Sequence, residues 1–429
     1  MSDAATPRHW PRASYDARYD PIIDAGPGHN RDHAPTYWMG TAGPPPEDDG
    51  PVSADMDVDV VVVGSGYTGL SCAIHLAKDH GIKATVLEAN TVAWGCSTRN
   101  GGQAQISSGR LKRSQWIQRW GTDVALKMHR EVCEAFELFN DLVSSDDIDC
   151  DPQPGGHYYI AHRDKVMPGL QAECELLNST FGYDARMIGR DELHDQHVRD
   201  QEAAGALWEP DGTCIHAGKL AFGYINMARR LGAKIHTASP VMGWTIKNGA
   251  HHLTTPGGTV RARAVALATA GYTPPGLNKR TKHRLMPILS NSIVTRPLTD
   301  DEKRECGFQT MSPLTDTRTL RHYYRYLSDG RVQIGSRSAV TGRDAENPKH
   351  LEMLQAGLYR KFPALTGIDL DYSWWGWVDV SHDMMPRIFQ PDPAETIYYA
   401  MGYGGNGVMY SAQAGRRMAQ LVTGNGQEL

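Results

Sequence analysis

The sequence predicts an α/β fold in two parts: a helix-covered parallel sheet assembled from separated stretches of chain, and a second part built mainly of antiparallel sheet with helices. Three observations predict it. Residues 57–88 read strand, glycine-rich turn, helix, strand; residues 396–422 repeat strand, turn and helix; and residues 290–340 carry short strands with turn signals between them.

The first stretch opens with Asp57–Leu70, DVDVVVVGSGYTGL. Val58 and Val60 to Val63 form the strand, and Gly64-Ser65-Gly66-Tyr67-Thr68-Gly69 the turn. Leu70, Ala73, Ile74 and Ala77 then fall at i, i+3, i+4 and i+7, with Gly81 placed to end the helix. The next strand, Ala84 to Leu87, closes on Glu88. In this context G-x-G-x-x-G is a dinucleotide-binding signature, and the unit is Rossmann-like. Gly64 allows the tight turn, Gly66 lets a pyrophosphate approach the backbone, and Gly69 lets the helix pack on the strand. Phosphate charge meets the amides and dipole of the helix start, where Tyr67 and Thr68 stand. Glu88 sits where a carboxylate accepts both ribose hydroxyls and repels a 2′-phosphate.

A chain of 429 residues exceeds one ordinary core, so two domains are the default. Charged residues at 22% and hydrophobic residues at 40% read as soluble and globular. A net charge of −5 leaves no basic footprint for nucleic acid, and no apolar run approaches a transmembrane span. Residues 1–20, with Trp10, two prolines and scattered charges, lack a signal-peptide core. Seven cysteines without C-x-x-C point to a reduced, cytoplasmic protein without a structural metal site.

In chain order, residues 1–54 form an irregular arm, anchored by Tyr37 and Trp38 and ending at Gly43-Pro44-Pro45-Pro46. After the dinucleotide unit comes Trp94–Gln103, too small, polar and glycine-rich for a core element and suited to backbone wrapped around a ligand. Amphipathic periodicity predicts a long helix over 122–143 and others near 164–180, 190–197, 219–231 and 348–360. Strands are expected at 157–161, 233–237 and 260–267, the last ending in Ala268-Thr269-Ala270-Gly271. A hairpin pairs 322–327 with 331–335 through Ser328-Asp329-Gly330. Strand 396–401 leads into Gly402-Tyr403-Gly404-Gly405-Asn406-Gly407 and a final helix with Ser411, Ala412, Gly415 and Ala419 on its packing side.

The second turn either aims a helix N-terminus at a redox ring, favouring its reduced anion, or simply packs strand on helix. Arg99 and Asn100 either meet a cofactor or cap a turn. Tyr324 and Arg325, with Trp374, Trp375 and Trp377, either wall a substrate cavity or belong to the core. The scattered histidines show no metal-ligand spacing, and there is no G-x-S-x-G nucleophile elbow.

Taken together, V-V-V-G-S-G-Y-T-G-L, the strand end at Glu88, S-T-R-N-G-G-Q, A-T-A-G, W-W-G-W-V-D with D-M-M-P, and G-Y-G-G-N-G-V resemble the superfamily of FAD enzymes that holds D-amino-acid, sarcosine and glycine oxidases. Within it, Y-T-G-L, R-N-G-G-Q and Tyr37-Trp38 are most similar to the γ-glutamylputrescine oxidases, and the resemblance runs from about 37 to 423. It implies an FAD-binding domain from 55–110, 205–275 and 375–429, and a substrate-binding domain from 111–204 and 276–374. It also implies FAD contacts from Ala89 beside Glu88, from Ser97 and the loop Arg99, Asn100, Gly101, Gly102 and Gln103, and from Ala270 and Gly271. Val241 would meet adenine, and Gly404, Gly405, Asn406, Gly407 and Val408 the pyrimidine edge of the flavin.

Three positions depart from the superfamily. Val378 stands where amino-acid oxidases place a carboxylate-binding Arg, although Arg325 or Arg337 offers a replacement. Gln333 replaces the Lys that promotes oxygen reaction in sarcosine oxidases, and Gly376 their flavin-linking Cys, so non-covalent FAD is expected. The implied activity is an FAD-dependent amine oxidoreductase acting on a γ-glutamylputrescine-like or other alkyl amine. Hydride passes to flavin N5, the imine is hydrolysed, and electrons go on to O2 or another acceptor. Tyr324, Trp375 and Tyr403 are the candidate catalytic walls. The alternatives are a D-amino-acid or N-methyl-amino-acid dehydrogenase or oxidase, and a subunit whose FAD is structural.

Overall fold

Val60, Val61 and Val62 are fully buried in strand Met56–Val63, as a parallel strand covered on both faces requires. In the computed structural model, which describes residues 19–106, 111–145, 148–282 and 284–426, this strand lies between Gly258–Leu267 and Thr85–Leu87, parallel to both. Lys234–His236 extends one side, and Ile397–Met401 pairs with the end of Gly258–Leu267 on the other. Three antiparallel strands, Gly243–Lys247, Ala250–Thr255 and Arg387–Phe389, complete a sheet of eight. Residues 1–18, with Trp10, and the expected segment ends at 107–110 and 427–429 lie outside the described residues.

Two helices cover the parallel sheet from opposite ends of the chain. Tyr67–His80 stops at Gly81, which takes the left-handed conformation at φ 70°. Gly407–Val422 packs against it at Gly415, where a Cβ would lie 2.5 Å from Cys72 N, and Ser71 Oγ donates to Ala412 O at 2.7 Å.

The second sheet also has eight strands, ordered Leu370–Val380, Met286–Thr295, Val332–Arg337, Tyr323–Tyr326, Leu314–Asp316, His157–Ala161, Gly205–Glu209 and Arg186–Gly189. Only Leu314–Asp316 and His157–Ala161 run parallel. The hairpin closes at Gly330, with Tyr324 opposite Ile334. Helices Thr122–Val143, Met167–Phe181, Arg190–Gln196, Ala217–Arg230 and Pro348–Lys361 stand where the periodicity places them. Gly205–Glu209, at the start of the stretch 205–275 expected in the FAD-binding domain, pairs in the second sheet, and Leu370–Val380 runs unbroken through the expected boundary at 375. Hydrogen-bonding partners assign a strand to its sheet, and its own residue pattern does not carry them.

The arm is anchored as expected. Thr36 caps the short helix Tyr37–Thr41, and Tyr37 and Trp38 are buried. Trp38 Nε1 donates to Asn100 O at 2.7 Å, tying the arm to the glycine-rich loop.

The core of the second sheet contains a buried ion cluster. Lys361 Nζ, fully buried at the end of its helix, lies 3.0 Å from Asp200 Oδ2 and 3.2 Å from Asp316 Oδ2. Removing one partner of such a cluster leaves uncompensated charge in a dry interior. Lys361→Met is therefore expected to cost roughly 3–5 kcal/mol, read as a lower urea midpoint at unchanged slope. An unmoved midpoint would mean that the cluster only offsets its own desolvation.

Candidate active site

A cavity of about 790 Å³ opens at the carboxyl ends of the parallel strands, lined by Val63, Leu87 and Ala268. The second sheet supplies its opposite wall through Ser290, Thr315, Tyr323 and Arg337.

The first turn is built by steric necessity. Gly64 holds φ 101°, and a Cβ there would lie 2.8 Å from Ala268 O; a Cβ on Gly69 would overlap the Gly64 carbonyl. A Cβ on Gly66 would meet only Ser97 Oγ, so this side of the turn faces open cavity. Ser97 Oγ accepts from Tyr67 N at 2.9 Å, and Thr68 Oγ1 is hydrogen-bonded to Tyr403 OH at 2.7 Å. Glu88 lines the same end. Its carboxylate accepts from Ser65 N at 3.0 Å and Asn90 N at 3.1 Å. Burial nevertheless raises its pKa against these hydrogen bonds. Arm residues 25–29 close this end beside Ala89, with Asn30 N donating to Ala89 O at 3.0 Å, and Val241 lines it as well.

The loop 94–103 is held by its own side chains. Arg99 Cζ lies 4.2 Å from the Trp94 ring centroid while Arg99 Nε donates to Trp94 O at 3.1 Å. Asn100 Nδ2 donates to Ser97 O at 2.9 Å and Asn100 Oδ1 accepts from Gly102 N at 2.8 Å. Asn100 therefore caps the turn. Ser97, Arg99, Asn100, Gly101 and Gln103 all line the cavity.

At the second turn, Gly404 and Gly405 hold φ of 63° and 97°. Gly404 to Val408 line the cavity, as do Ala270 and Tyr403. Beneath the turn, Asp379 Oδ2 accepts from Gly402 N at 2.5 Å, and burial lifts the Asp379 carboxyl to about 6. Arg337 Nη2 donates to Gly404 O. Burial and the neighbouring charge of Arg321 lower the Arg337 guanidinium to about 10. Arg321 lines the cavity too, with a buried Nε that has no partner among the described residues.

Five expected site residues lie off the cavity lining. Gly69, Gly102 and Gly271 act by close packing: a Cβ on Gly102 would fall 2.5 Å from Ile215 O, and one on Gly271 3.3 Å from Asp379 N. Trp375 belongs to an aromatic cluster with Trp377, Trp94 and Tyr272. Tyr324 is a correction: it is fully buried in the second core, where its hydroxyl donates to Asp200. Successive strand residues face opposite ways, so Tyr323 takes the cavity side. Gly335, directly across, leaves room for the Tyr323 ring, whose hydroxyl reaches Ser292 Oγ at 2.8 Å. Arg325 is likewise spent on structure, donating to Gly102 O at 2.9 Å and Ile215 O at 2.8 Å. Sequence reasoning missed Gln105, Thr315, Arg321, Tyr323 and Asp379. Strand parity was the available signal for Tyr323, and Asp379 closes the quoted W-W-G-W-V-D motif without having been singled out; the other three had no signal.

Two glycine turns and a buried acidic residue at the ends of the parallel strands, all lining one cavity, mark a dinucleotide-dependent oxidoreductase. The residues fit FAD, since the first turn leaves its backbone open to the cavity. The chain belongs to the DAO family of FAD dependent oxidoreductases, whose sequence profile matches residues 59–421. It is similar to the γ-glutamylputrescine oxidoreductase of Escherichia coli (strain K12), 30% identical over 86% of this chain and 84% of that protein. A glycine oxidase of Bacillus licheniformis is 24% identical over 86% of this chain and 93% of its own. The crystal structure of glycine oxidase from Geobacillus kaustophilus shares the fold, with a TM-score of 0.74 at 20% identity over 86% of this chain and 96% of that one. Among the described residues no helix is long and apolar enough to cross a membrane, and no group of His, Cys, Asp and Glu is arranged to hold a metal ion.

Two outcomes are expected here. Glu88→Gln removes a charge-assisted acceptor and should raise the FAD dissociation constant roughly 10- to 150-fold, measured by titrating apoprotein with FAD; an unchanged constant places the ribose elsewhere. Asp379 binds its proton more tightly folded than unfolded, so stability should fall as pH rises from 3.8 to about 6. Denaturation of FAD-saturated Asp379→Asn should lack that slope; identical slopes in both proteins refute it.

Proposed function

We propose that this flavoenzyme oxidises an amine whose carboxylate lies away from the reacting carbon, of the γ-glutamylputrescine kind. One observation carries the reading: Arg321 and Arg337 enter the cavity from the second sheet, and their partners there are uncharged, Tyr159 OH and Gly404 O. Two guanidinium groups in a dry cavity call for an anion. Val378, also on the lining, offers none of the chemistry that would bind a carboxylate beside the reacting carbon.

In this reading Glu88 holds the ribose hydroxyls, the Gly64–Gly69 turn the pyrophosphate, Val241 the adenine and Gly404–Val408 the ring system. Bound FAD supplies the acceptor for hydride from the carbon bearing nitrogen. Water then hydrolyses the imine to an aldehyde or ketone, and O2 or another acceptor takes the electrons. Tyr403 and Tyr323 wall the reacting end, shielding the amine from water. This reading takes FAD as held without a covalent link, because Gly376 offers no thiol at the position of the flavin-linking Cys. Free thiols at all seven cysteines fit the cytoplasmic location this reading includes.

Anaerobic bleaching of the bound flavin tests the proposal. γ-Glutamylputrescine should reduce it faster than putrescine, which lacks a carboxylate, and faster than glycine, sarcosine or D-alanine. Arg337→Met should raise the half-saturating concentration of γ-glutamylputrescine roughly 10- to 150-fold and leave that of putrescine nearly unchanged. Fastest bleaching by sarcosine or D-alanine would overturn the reading.

A further inference from the structure

We propose that Thr315, His157 and Glu209 form a proton relay that takes the ammonium proton from the substrate and generates the free amine inside the cavity. The relay rests on the amine reading above. Thr315 lines the cavity from strand Leu314–Asp316, directly across from Tyr323. Its Oγ1 lies 2.5 Å from His157 Nε2. On the other side of the ring, His157 Nδ1 lies 3.4 Å from Glu209 Oε2, and Glu209 Oε1 lies 3.4 Å from Arg113 Nη1. All four side chains are buried, so the chain leads from the cavity into the protein and not to solvent.

Register builds this line. His157 pairs with Glu209 and Tyr159 with Thr315, and residues two apart on a strand share a face. A His–Glu pair that served only packing would not need a hydroxyl on the cavity wall at its open nitrogen. The charges also suit proton uptake. Burial opposes ionisation of Glu209, yet Arg113 and His157 hold its carboxyl below the ordinary range, so an anion stands behind the imidazole. From the other packed elements, His129 faces this carboxylate and is itself held down to about 4 by burial and Arg113. Asp211 and Tyr183 also face Glu209, the Tyr159 ring stacks on His157, and Arg321 lies over Tyr159.

Loss of hydride from the carbon requires the nitrogen lone pair. Alkylammonium groups titrate near 10 by analogy with lysine, so at pH 7 only about one molecule in a thousand is free amine. In the relay one substrate N–H bond breaks and Thr315 Oγ takes that proton while passing its own to His157 Nε2. Nδ1–H stays donated to Glu209, which remains a carboxylate opposite the new imidazolium. Two protons shift in concert for a net transfer of one from substrate to His157, no electron moves, and the lone pair is left on nitrogen. The proton returns to solvent when product leaves.

The test is anaerobic stopped-flow bleaching of the FAD-loaded protein from pH 6 to 10, with γ-glutamylputrescine, putrescine, glycine and sarcosine as probes. Wild type is compared with His157→Gln and Thr315→Val, with FAD content and visible spectrum as the check on folding. The limiting rate of each variant should fall roughly 100-fold or more at pH 7. The gap should close toward pH 10, where the amine arrives free. Rates lowered equally at every pH, or unchanged, overturn the relay while leaving the amine reading standing. A wild-type flavin that no probe bleaches at any pH overturns both. Thr315→Val alters no buried charge, so it decides the matter even where His157→Gln fails to fold.

Discussion

Everything at the cavity depends on one contact that only glycine permits, the Gly69 backbone lying against the carbonyl of Gly64. Because no side chain separates them, strand Met56–Val63 passes into helix Tyr67–His80 without slack, and the first helical amides face the cavity. Gly64, at φ 101°, in turn sits against Ala268 O, which seats the end of strand Gly258–Leu267 beside the turn. Gly415 repeats the device between helices, letting Gly407–Val422 settle on Ser71 and Cys72. Remote segments of the chain thus converge on one cavity through places where a methyl group would not fit.

The loop between the two sheets is positioned by donors from three other elements. Trp38 Nε1 from the arm donates to Asn100 O, Trp374 Nε1 from strand Leu370–Val380 donates to Arg99 O, and Arg325 from the hairpin donates to Gly102 O. Gln103 Nε2 returns the contact by donating to Tyr324 O. Each donor is a long side chain largely removed from water, so releasing the loop would leave several buried polar groups unpaired at once. Arg325, read from sequence as a possible substrate ligand, is therefore part of the frame, and Arg337, on the partnering strand of the same hairpin, enters the cavity instead.

What was legible in the sequence follows from the range of the forces involved. The turn at Gly64–Gly69, the strand end at Glu88 and the turn at Gly402–Gly407 are local steric solutions, written in consecutive residues, and the structure brings all three to one cavity. Most of the helices were legible through their apolar period, but Arg113–Trp120 and Asp300–Cys306 were not read from the sequence. The placement of Gly205–Glu209 in the second sheet was not, because an apolar strand does not name its partner. Tyr324 and Tyr323 show the limit in miniature: the hairpin was plain, but which of two adjacent tyrosines faces inward is set by the helix Pro348–Lys361 and Phe362 packed behind Tyr324. Thr315, His157 and Glu209 lie on three strands drawn together only by register, and no spacing along the chain announces them.

Electrostatics then gives the cavity a direction. One end holds Glu88, a buried carboxylate that accepts from the Ser65 and Asn90 amides; the other holds Arg321 and Arg337 with uncharged partners. Asp379 stands under the second turn, where its carboxylate accepts from the Gly402 amide; burial lifts its carboxyl only to about 6, so at neutral pH it is an anion that offsets part of the charge of the two guanidinium groups. Glu209 is not on the cavity lining, and its carboxylate is shared between His157 Nδ1 and Arg113 Nη1, each at 3.4 Å. The positive end therefore stays positive until a ligand brings an anion. In the proposed reading, a substrate bearing both a carboxylate and an ammonium group would be oriented before any chemistry, its anion at the two guanidinium groups. Under the same proposal its nitrogen would meet the hydroxyl of Thr315, from which a proton can pass to an imidazole backed by the Glu209 carboxylate.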